Sequence, residues 1–384
     1  MNNYKSLPLK EIANINMGQS PPSSTYNTQE EGLPFFQGNA DFGEIYPSSR
    51  IYCIEPMKTA DINDILISVR APIGAVNIAD SHCCIGRGLA AVKPKKNLYY
   101  RYLYYALQSL NDELNRQGTG STFKAIGKSI LENAVIPIPT LNEQRKIATK
   151  LDTVSDIIRL RKEQLEELDL LVKSRFVEMF GDAIANSRHW PTDTIENLCV
   201  KIQGGGTPSK SHPEYYQGDI PWISPKDMKT FIIADSSDYI TQTAISNSSA
   251  SLIPDGAVLI VIRSGILKHT LPVAINVVPV AINQDMKALV PGKKVTSWFL
   301  AILPIMLEPE ILAGVRGVTA DNIDFAVFRK RQVITPPMEL QNEFSRFAEQ
   351  IINSRLKIAK CIEVLDNLRK ALMQRYYGVN GNDS

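Results

Sequence analysis

Two stretches of the chain carry a sustained heptad pattern of apolar positions. In the first, alternating steps of four and three residues select Ile147, Leu151, Val154, Ile158, Arg161, Leu165, Leu168, Val172, Arg175 and Met179. In the second, they select Phe344, Ala348, Ile351, Arg355, Ile358, Ile362, Leu365, Arg369, Leu372 and Tyr376. Such a seam is typical of long helices that pack along their length. Each predicted helix spans about 35–38 residues, or roughly 55 Å at the rise of an α-helix.

The two predicted helices belong to an internal repeat. IPTLNEQRKI precedes and opens the first helix, and TPPMELQNEF does the same for the second. Gln144 and Gln341 are 341 − 144 = 197 positions apart, and the glycines after the helices, Gly181 and Gly378, are 378 − 181 = 197 apart. The register therefore contains no gap across either helix. A long repeat within one chain predicts two similar sites held at a fixed distance.

The repeat continues upstream with variable loops. LKEIANINMGQSPP lies over IENLCVKIQGGGTP, which pairs Gly18 with Gly204 and Pro22 with Pro208, at an offset of 204 − 18 = 186. Because the offset differs from that of the helices, we expect a rigid spacer that carries two diverged globular heads.

Each head is predicted to be of the α+β class, with short strands between Gly/Pro/Ser-rich turns. Its loops are the places where binding residues usually lie. The strand predictions are Ile65–Val69, Ala134–Ile138, Val258–Ile262, Val273–Val280 and Gln332–Thr335, and shorter helices are predicted at Tyr99–Leu110 and Ser297–Glu308.

Arginines on the two seams favour an intramolecular pair of antiparallel helices. Arg161 falls at the repeat level of Ile358, and Arg355 falls at that of Ile158. Self-association would stack like charges at these levels, whereas pairing the two helices of one chain need not. The alternative is that each helix packs separately on its own domain.

Composition restricts the class of protein. The net charge is +2, so any nucleic-acid binding must come from local clusters or be shared with a partner. No apolar run approaches the roughly 20 residues of a membrane span, and the first residues lack a signal-peptide core. Five cysteines without framework spacing are typical of reduced thiols, which predicts a cytoplasmic protein.

Catalytic motifs are largely missing. GSTFKAIGKS ends as a phosphate-binding loop does, but its glycines are too far apart to form the cradle. No FxGxG, NPPF or DPPY segment suggests methyl transfer, and the four histidines lack metal-ligand spacing. We therefore expect no catalytic residue, no metal site and no cofactor in this chain.

One arrangement imitates a metal-dependent nuclease. Asp255 follows a proline, and Asp285 stands two positions before Lys287. Two carboxylates could hold Mg²⁺, with the lysine near the attacking water. However, Asp255 lies in a PDG turn before a strand, so ordinary turn chemistry is the favoured interpretation and a nuclease the alternative.

Matched loops of the two heads are the candidate DNA contacts. Residues 18–26 and 204–210 combine small residues with hydroxyls that can meet phosphates. ILISVRAP lies over VLIVIRSG, which pairs Arg70 with Arg263; an arginine at a strand end can fork onto guanine or brace a loop internally. The third pair, residues 116–126 and 315–325, joins Arg-x-Gly to a threonine and a helix start. Its hydroxyls could equally be ordinary helix caps.

The predicted DNA-binding residues follow from these loops. They are Gln19, Ser20, Ser23, Ser24, Arg70, Arg116, Thr119, Ser121 and Lys124 in the first head, and Thr207, Ser209, Lys210, Lys226, Arg263, Lys268, His269, Arg316 and Thr319 in the second.

These motifs together resemble the specificity subunit of type I restriction–modification enzymes. GQSPP and GGGTPSKSHPEYYQGDIPWISPKDM are similar to the opening of its target recognition domains. GTGSTFKAIGKSILENAVIPIPTLNEQRKI is similar to its domain-to-helix junction, which recurs more weakly as GVTADNIDFAVFRKRQVITPPMELQNEF. The resemblance covers the chain as far as Gly378.

The resemblance implies a non-catalytic reader of an asymmetric, bipartite DNA target. It implies two target recognition domains, separated by two antiparallel helices in a pseudo-twofold, circular-repeat arrangement. The helices would set the unread spacer and dock two methyltransferase subunits that carry S-adenosylmethionine. Through these subunits the ATP- and Mg-dependent restriction subunits would join. The implied domains are 1–140 and 183–336 for recognition, 141–182 and 337–379 for the helices, and a tail at 380–384. A protein scaffold that never touches DNA remains a further alternative.

Overall fold

The computed structural model describes residues 4–119, 124–315 and 321–378. The chain forms two compact units, one made of Met1–Lys162 with Cys361–Ser384 and the other of Glu163–Lys360. Each unit combines a head of strands and short helices with a segment of each long helix. The predicted α+β class is confirmed.

Within the described residues, the first head has eleven strands and four helices. The strands are β1 (Ser6–Pro8), β2 (Ala13–Met17), β3 (Tyr26–Asn27), β4 (Leu33–Phe36), β5 (Tyr52–Cys53), β6 (Thr59–Ala60), β7 (Ile65–Ser68), β8 (Val76–Ile78), β9 (Cys83–Ile85), β10 (Leu89–Pro94) and β11 (Val135–Pro137). The helices are α1 (Leu9–Ile12), α2 (Tyr100–Ser109), α3 (Asn111–Gln117) and α4 (Lys128–Asn133).

Besides the two-stranded sheet of β1 and β11, two larger sheets form the first head. One is antiparallel with the order β2-β10-β7-β8, and the other has the order β3-β5-β4-β9-β6 with a parallel pair of β4 and β9. Strand β7 is buried on both faces because α2 covers one face of its sheet. The Tyr102 ring lies in that core with no exposed surface, and its hydroxyl donates to the Pro137 carbonyl at 2.7 Å.

A long helix, α5 (Leu141–Phe180), follows the first head. Within the described residues, the second head then has eleven strands and five helices. The strands are β12 (Thr192–Thr194), β13 (Cys199–Gly204), β14 (Ile220–Ile223), β15 (Ile232–Ile233), β16 (Tyr239–Ile240), β17 (Leu252–Ile253), β18 (Val258–Val261), β19 (Val273–Asn276), β20 (Val280–Ile282), β21 (Met286–Pro291) and β22 (Gln332–Ile334). The helices are α6 (Ile195–Leu198), α7 (Gln242–Ser246), α8 (Ser297–Met306), α9 (Glu308–Ala313) and α10 (Phe325–Arg329), and the long helix α11 (Met338–Tyr377) follows.

The second head repeats most of the sheet order of the first, but among the described strands it adds β15 at one edge and has no counterpart of β3. Its two larger sheets are β13-β21-β18-β19-β15 and β16-β14-β20-β17, and β12 pairs with β22 as β1 pairs with β11. The prediction of one strand over Val273–Val280 is wrong, because β19 and β20 belong to different sheets. The turn between them is held by Asn276, whose buried Nδ2 donates to the Pro254 and Val278 carbonyls at 2.8 Å each.

The predicted pairing of Gly18 with Gly204 is wrong by one residue because β13 contains a β-bulge. β2 pairs with β10 without interruption, whereas β13 is irregular between Cys199 and Lys201. The extra residue shifts the rest of β13. Gly18 therefore corresponds to Gly205, at 205 − 18 = 187, and not to Gly204 as the sequence comparison predicts.

The long helices end where the sequence predicts. Each has 40 residues, slightly more than predicted. Gly181 follows α5 with φ +76°, a left-handed conformation that glycine adopts without strain, and its N–H donates to the Val177 carbonyl at 2.8 Å. Gly378 likewise donates to the Gln374 carbonyl at 3.0 Å.

Within each unit the two helix segments run antiparallel. In the second unit, Arg355 Nε lies 2.7 Å from Asp169 Oδ1, and Arg175 Nη2 lies 2.8 Å from Glu343 Oε1. From one ion pair to the next, residue numbers rise along α5 and fall along α11. The same helix segments also pack on their heads. Helix pairing and packing on a head therefore occur together, and they do not exclude each other.

In the first unit, the helix segments join the core of the first head. Ile147 and Leu151 of α5 are buried in one cluster with Tyr376 and Tyr377 of α11. Tyr377 packs on Tyr102, with ring centroids 5.0 Å apart. Over the ranges that the structure describes, no helix is both long enough and apolar enough to cross a membrane.

Candidate nucleic-acid interface

A polar cleft of about 780 Å³ opens in the first head. The loop after β2 forms one wall with Ser20 and Ser23, the chain just past β7 contributes Arg70, and the β9–β10 turn contributes Arg87. No acidic side chain belongs to the described lining of this cleft. The predicted loop and the predicted arginine are therefore brought together beside a second arginine.

Backbone contacts hold this loop against the β9–β10 turn. The Gly18 N–H donates to the Leu89 carbonyl at 2.9 Å, and the Gln19 N–H donates to the Ile85 carbonyl at 3.0 Å. A Cβ at Gly18 would collide with the Gly86 carbonyl oxygen. The position accepts only glycine because the two backbones approach so closely.

A buttress of the same kind supports the loop in both heads. The Tyr26 hydroxyl donates to the Pro21 carbonyl at 2.8 Å, and the Tyr216 hydroxyl donates to the Pro208 carbonyl at 2.6 Å. Pro208 therefore corresponds to Pro21, at 208 − 21 = 187, and not to Pro22. This is the same one-residue shift that the bulge introduces.

Part of the third predicted loop reaches the strand-end arginine. Arg70 forms an isolated antiparallel bridge with Ala125, as does Thr119. The Ala71 N–H donates to the Lys124 carbonyl at 3.1 Å. Lys124 and Thr119 are exposed, so Arg70, Thr119 and Lys124 form one surface cluster.

Arg116 lies elsewhere. Its Nε donates to the Asp112 carbonyl of its own helix at 3.3 Å. It lines a separate cleft of about 770 Å³ together with Arg369 and Lys370 of α11. The structure therefore does not bring Arg116 to the cleft of Arg70.

Two further residues of the first loop do not line the cleft, and three predicted residues lie outside the described chain. Gln19 and Ser24 are exposed in the first loop but do not line the cleft. Ser121, Arg316 and Thr319 lie outside the described residues.

The loop after β13 in the second head, at residues 205–211, carries several hydroxyl side chains. Thr207 Oγ1 donates to Gln284 Oε1. Ser209 Oγ and Ser211 Oγ are 2.7 Å apart, and Lys210 is exposed between them. This loop therefore offers a cation and three hydroxyls to a ligand.

Arg263 lines a second-head cleft of about 760 Å³. Its Nη1 lies 3.8 Å from Asp285 Oδ1, and its side chain is 53% exposed. Lys287 lines the same cleft, with its Nζ 5.5 Å from the centre of the Phe325 ring. Such a cation–π contact attracts the ammonium group to the face of the ring.

Two predicted lysines already have carboxylate partners. Lys226 Nζ lies 2.6 Å from Asp238 Oδ2, and this hydrogen bond raises the pKa of Lys226. Lys268 Nζ lies 3.8 Å from Asp321 Oδ2, and His269 beside it is exposed. Exposed ion pairs contribute little to stability, so a phosphate could replace either carboxylate at small cost.

The predicted equivalence of Arg70 and Arg263 is confirmed. Each follows the corresponding strand of its sheet, β7 or β18, and each forms an isolated bridge with the same point of the third loop, Ala125 or Asn322. These partners are 322 − 125 = 197 positions apart, the offset of the long helices.

Sequence reasoning missed the turn residue Arg87. It also missed Gln37 and Asn39, which line the same cleft. A signal was present: Arg87 stands between two glycines, and Gln284 stands 284 − 87 = 197 positions later. Neither residue belongs to a motif, so only this repeat register could have identified them.

The carboxylates of the nuclease alternative are not brought together. Asp255 and Gly256 precede β18, whereas the Asp285 carbonyl accepts from the Ile262 N–H just after that strand. At about 3.3 Å per residue the two ends are roughly 20 Å apart. Two carboxylates at this distance cannot share a metal ion, and the described ranges contain no group of three His, Cys, Asp or Glu able to hold one.

The chain matches the sequence profile of the family described as "Type I restriction modification DNA specificity domain" over residues 1–170 and 188–365. It is 47% identical over 156 residues to a putative type I restriction enzyme MjaX specificity subunit of Methanocaldococcus jannaschii. That match covers 40% of this chain and 37% of the relative, so it spans well under half the length of that protein.

Two further comparisons cover more of the chain. The type I restriction enzyme MjaIX specificity subunit of the same organism is 25% identical over 333 residues, which is 81% of this chain and 76% of that protein. The crystal structure of a type I restriction-modification system S subunit from M. genitalium matches with a TM-score of 0.66 and 16% identity. It covers 98% of this chain and 97% of that one, and at this identity it shows the fold alone.

Proposed function

We propose that this chain, which belongs to the type I restriction modification DNA specificity family, reads a bipartite DNA sequence with one half-site for each head. The observation that carries the proposal is the repeated scaffold with diverged loops. Both heads place an arginine at the same strand end, Arg70 or Arg263. Both also hold the loop after β2 or β13 with a glycine at the matched position, Gly18 or Gly205, although the two loops bear different side chains. Two similar scaffolds with different loops suit two different half-sites.

The chemistry of the first-head cleft suits the edges of bases. Guanidinium groups fork onto guanine O6 and N7, and side-chain amides pair with adenine N6 and N7 in the major groove. Arg87, Gln37 and Asn39 supply both groups in one cleft. The hydroxyls of the half-buried Ser20 and the exposed Ser23 can meet the flanking phosphates.

The long helices would set the length of the unread spacer. Each is continuous over 40 residues, or roughly 60 Å at 1.5 Å per residue. We assign them a second role as the docking site for two methyltransferase subunits. A net charge of only +2 supports this arrangement, because partner subunits would supply much of the grip on DNA.

Catalysis would belong to the partners. We assign S-adenosylmethionine to the methyltransferase subunits and ATP and Mg²⁺ to restriction subunits that join through them, and no catalytic residue to this chain. All five cysteines are free, which supports a reducing, cytoplasmic location.

The proposal is tested by methylome sequencing of cells that express this chain with its methyltransferase. We expect adenine methylation at one asymmetric sequence with two specific halves. Replacing Ser6–Ile138 by the first head of another family member should change one half only. The matched control replaces the second head and should change the other half.

Two outcomes contradict the proposal. A complex that assembles but methylates without sequence preference would favour a protein scaffold. A swap that alters both halves, or neither, would contradict one half-site for each head.

A further inference from the structure

Two matched turn residues differ in chemistry between the heads. Arg87 lies in the turn between β9 and β10, and Gln284 lies in the turn between β20 and β21. The strands on either side keep the 197-residue offset: Leu89 pairs with Ser68, and its counterpart Met286 pairs with Val261. Arg87 and Gln284 are therefore the same position of the same turn in two heads.

In each head, a glycine at the matched position of the neighbouring loop packs against the turn. A Cβ at Gly18 would meet the Gly86 carbonyl oxygen, and a Cβ at Gly205 would meet the Asn283 carbonyl oxygen. Gly86 and Asn283 each directly precede the turn residue. The backbone that presents the side chain is thus fixed alike in both heads.

Each turn residue also contacts the loop hydroxyl at the matched position. The Arg87 N–H donates to Ser20 Oγ at 3.2 Å, and Thr207 Oγ1 donates to Gln284 Oε1. Ser20 and Thr207 are 207 − 20 = 187 positions apart, the offset that the bulge establishes. A side-chain oxygen has a second lone pair, so Gln284 Oε1 can still accept another hydrogen bond.

Both side chains are exposed, and the cleft of Arg87 has no acidic lining among the described residues. The guanidinium of Arg87 is therefore not neutralised by a lining carboxylate and can meet an external acceptor. The matched strand-end positions differ from this turn position, because both heads carry arginine there, as Arg70 and Arg263. A residue shared by both heads cannot distinguish two half-sites, and it suits the phosphate backbone that they have in common.

We propose that Arg87 and Gln284 are a matched pair of specificity-determining residues. Arg87 reads a guanine of the first half-site through O6 and N7, and Gln284 reads an adenine of the second half-site through N6 and N7. The inference rests on the proposed function and names the position within each head where the two half-sites diverge.

Reciprocal substitutions test the inference. The chain is expressed with its methyltransferase as wild type, Arg87→Gln and Gln284→Arg, and each methylome is sequenced. Arg87→Gln should reduce the preference for guanine at one position of the first half-site by about 10- to 100-fold and leave the second half unchanged. Gln284→Arg should do the same to one adenine of the second half-site.

Arg50→Gln is the matched control. Arg50 lies in the same head, its side chain is 63% exposed, and it does not line the cleft. Its target should equal that of the wild type. An unchanged second half-site in Arg87→Gln also shows that the variant is folded and assembled.

Base analogues give a second, direct measurement. Replacing guanine by 7-deazaguanine removes N7 from the first half-site one base at a time. Wild-type complex should lose about 10-fold in affinity at one guanine, and Arg87→Gln should lose none there.

The outcomes separate the two proposals. If wild type methylates a bipartite target but both variants keep that target, or the first half-site contains no guanine, the inference is wrong and the proposed function stands. If wild type shows no sequence-specific methylation, the proposed function itself fails.

Discussion

Gln144 and Gln341 make the same three hydrogen bonds in the two units. Gln144 Oε1 accepts from the Tyr99 N–H at 2.8 Å, and its Nε2 donates to the Asn97 and Pro139 carbonyls at 3.1 and 3.0 Å. Gln341 repeats this with Thr296, Lys294 and Pro336 at 3.1, 3.0 and 2.8 Å. Both glutamines have no exposed surface. Each one ties the first turn of a long helix to a short helix of its head.

Replacing Gln144 by alanine should lower the free energy of unfolding of the first unit. The change removes three hydrogen bonds and leaves backbone groups without partners, at a cost of about 2–4 kcal/mol. Gln350→Ala, on an exposed face of α11, should stay within about 0.5 kcal/mol of the wild type. Urea unfolding with hydrogen–deuterium exchange at residues 97–99 measures both. An unaltered exchange rate there in Gln144→Ala would contradict the role of this side chain.

Phe176→Ala should destabilise the second unit strongly. The ring has no exposed surface and lies 5.5 Å from the rings of Phe299 and Phe344. A cavity of this kind costs about 3–5 kcal/mol. The neighbouring Val177 is 46% exposed, so Val177→Ala should change stability by less than about 0.5 kcal/mol. Equal losses in thermal or chemical unfolding would show that this cluster does not join α5 to the head.

Cys361 should be the fast-reacting thiol at pH 8. Burial raises the pKa of Cys83 and Cys199 to about 12 and that of Cys84 to about 11, so these thiols stay protonated and unreactive. Cys361 is exposed on α11. Titration with Ellman's reagent should show one fast thiol in the native protein and five in urea. Persistence of the fast phase in Cys361→Ser would overturn this assignment.

Lengthening both long helices equally should change the spacer and neither half-site. Seven residues inserted after Lys162 and seven before Cys361 keep the heptad seam. The insertion adds about 10 Å of helix, or roughly three base pairs. Methylome sequencing measures the new spacer. Insertion into one helix alone is the control, and it should disrupt the pairing of the helices rather than give a new spacer.

The heptad periodicity predicts α5 and α11 to within a few residues, because a long amphipathic seam depends on local spacing alone. Glycines at the helix ends add a strong stop signal at Gly181 and Gly378. The apolar run from Val273 to Val280 is predicted less well. Local pattern could not show that it divides between two sheets, since that division depends on strands far away in the chain.

The candidate site was predictable only where it follows the internal repeat. The repeat identifies Arg70 and Arg263 as equivalent, and the structure confirms it. It misplaces the loop glycine by one residue because a bulge in β13 leaves no mark in composition. Its place in a motif predicts that Arg116 belongs to the DNA-binding loops, but in the structure Arg116 lines a separate cleft.

The residue pattern alone shows that the chain is a duplication in which helix length is constant and the loops vary. Which side chains share a cleft is visible only in the folded protein. Arg87 joins Arg70 and Ser20 because three separate segments converge on one turn, and such convergence is set by strand pairing between distant residues. Residues that meet in this way carry no common signal along the chain.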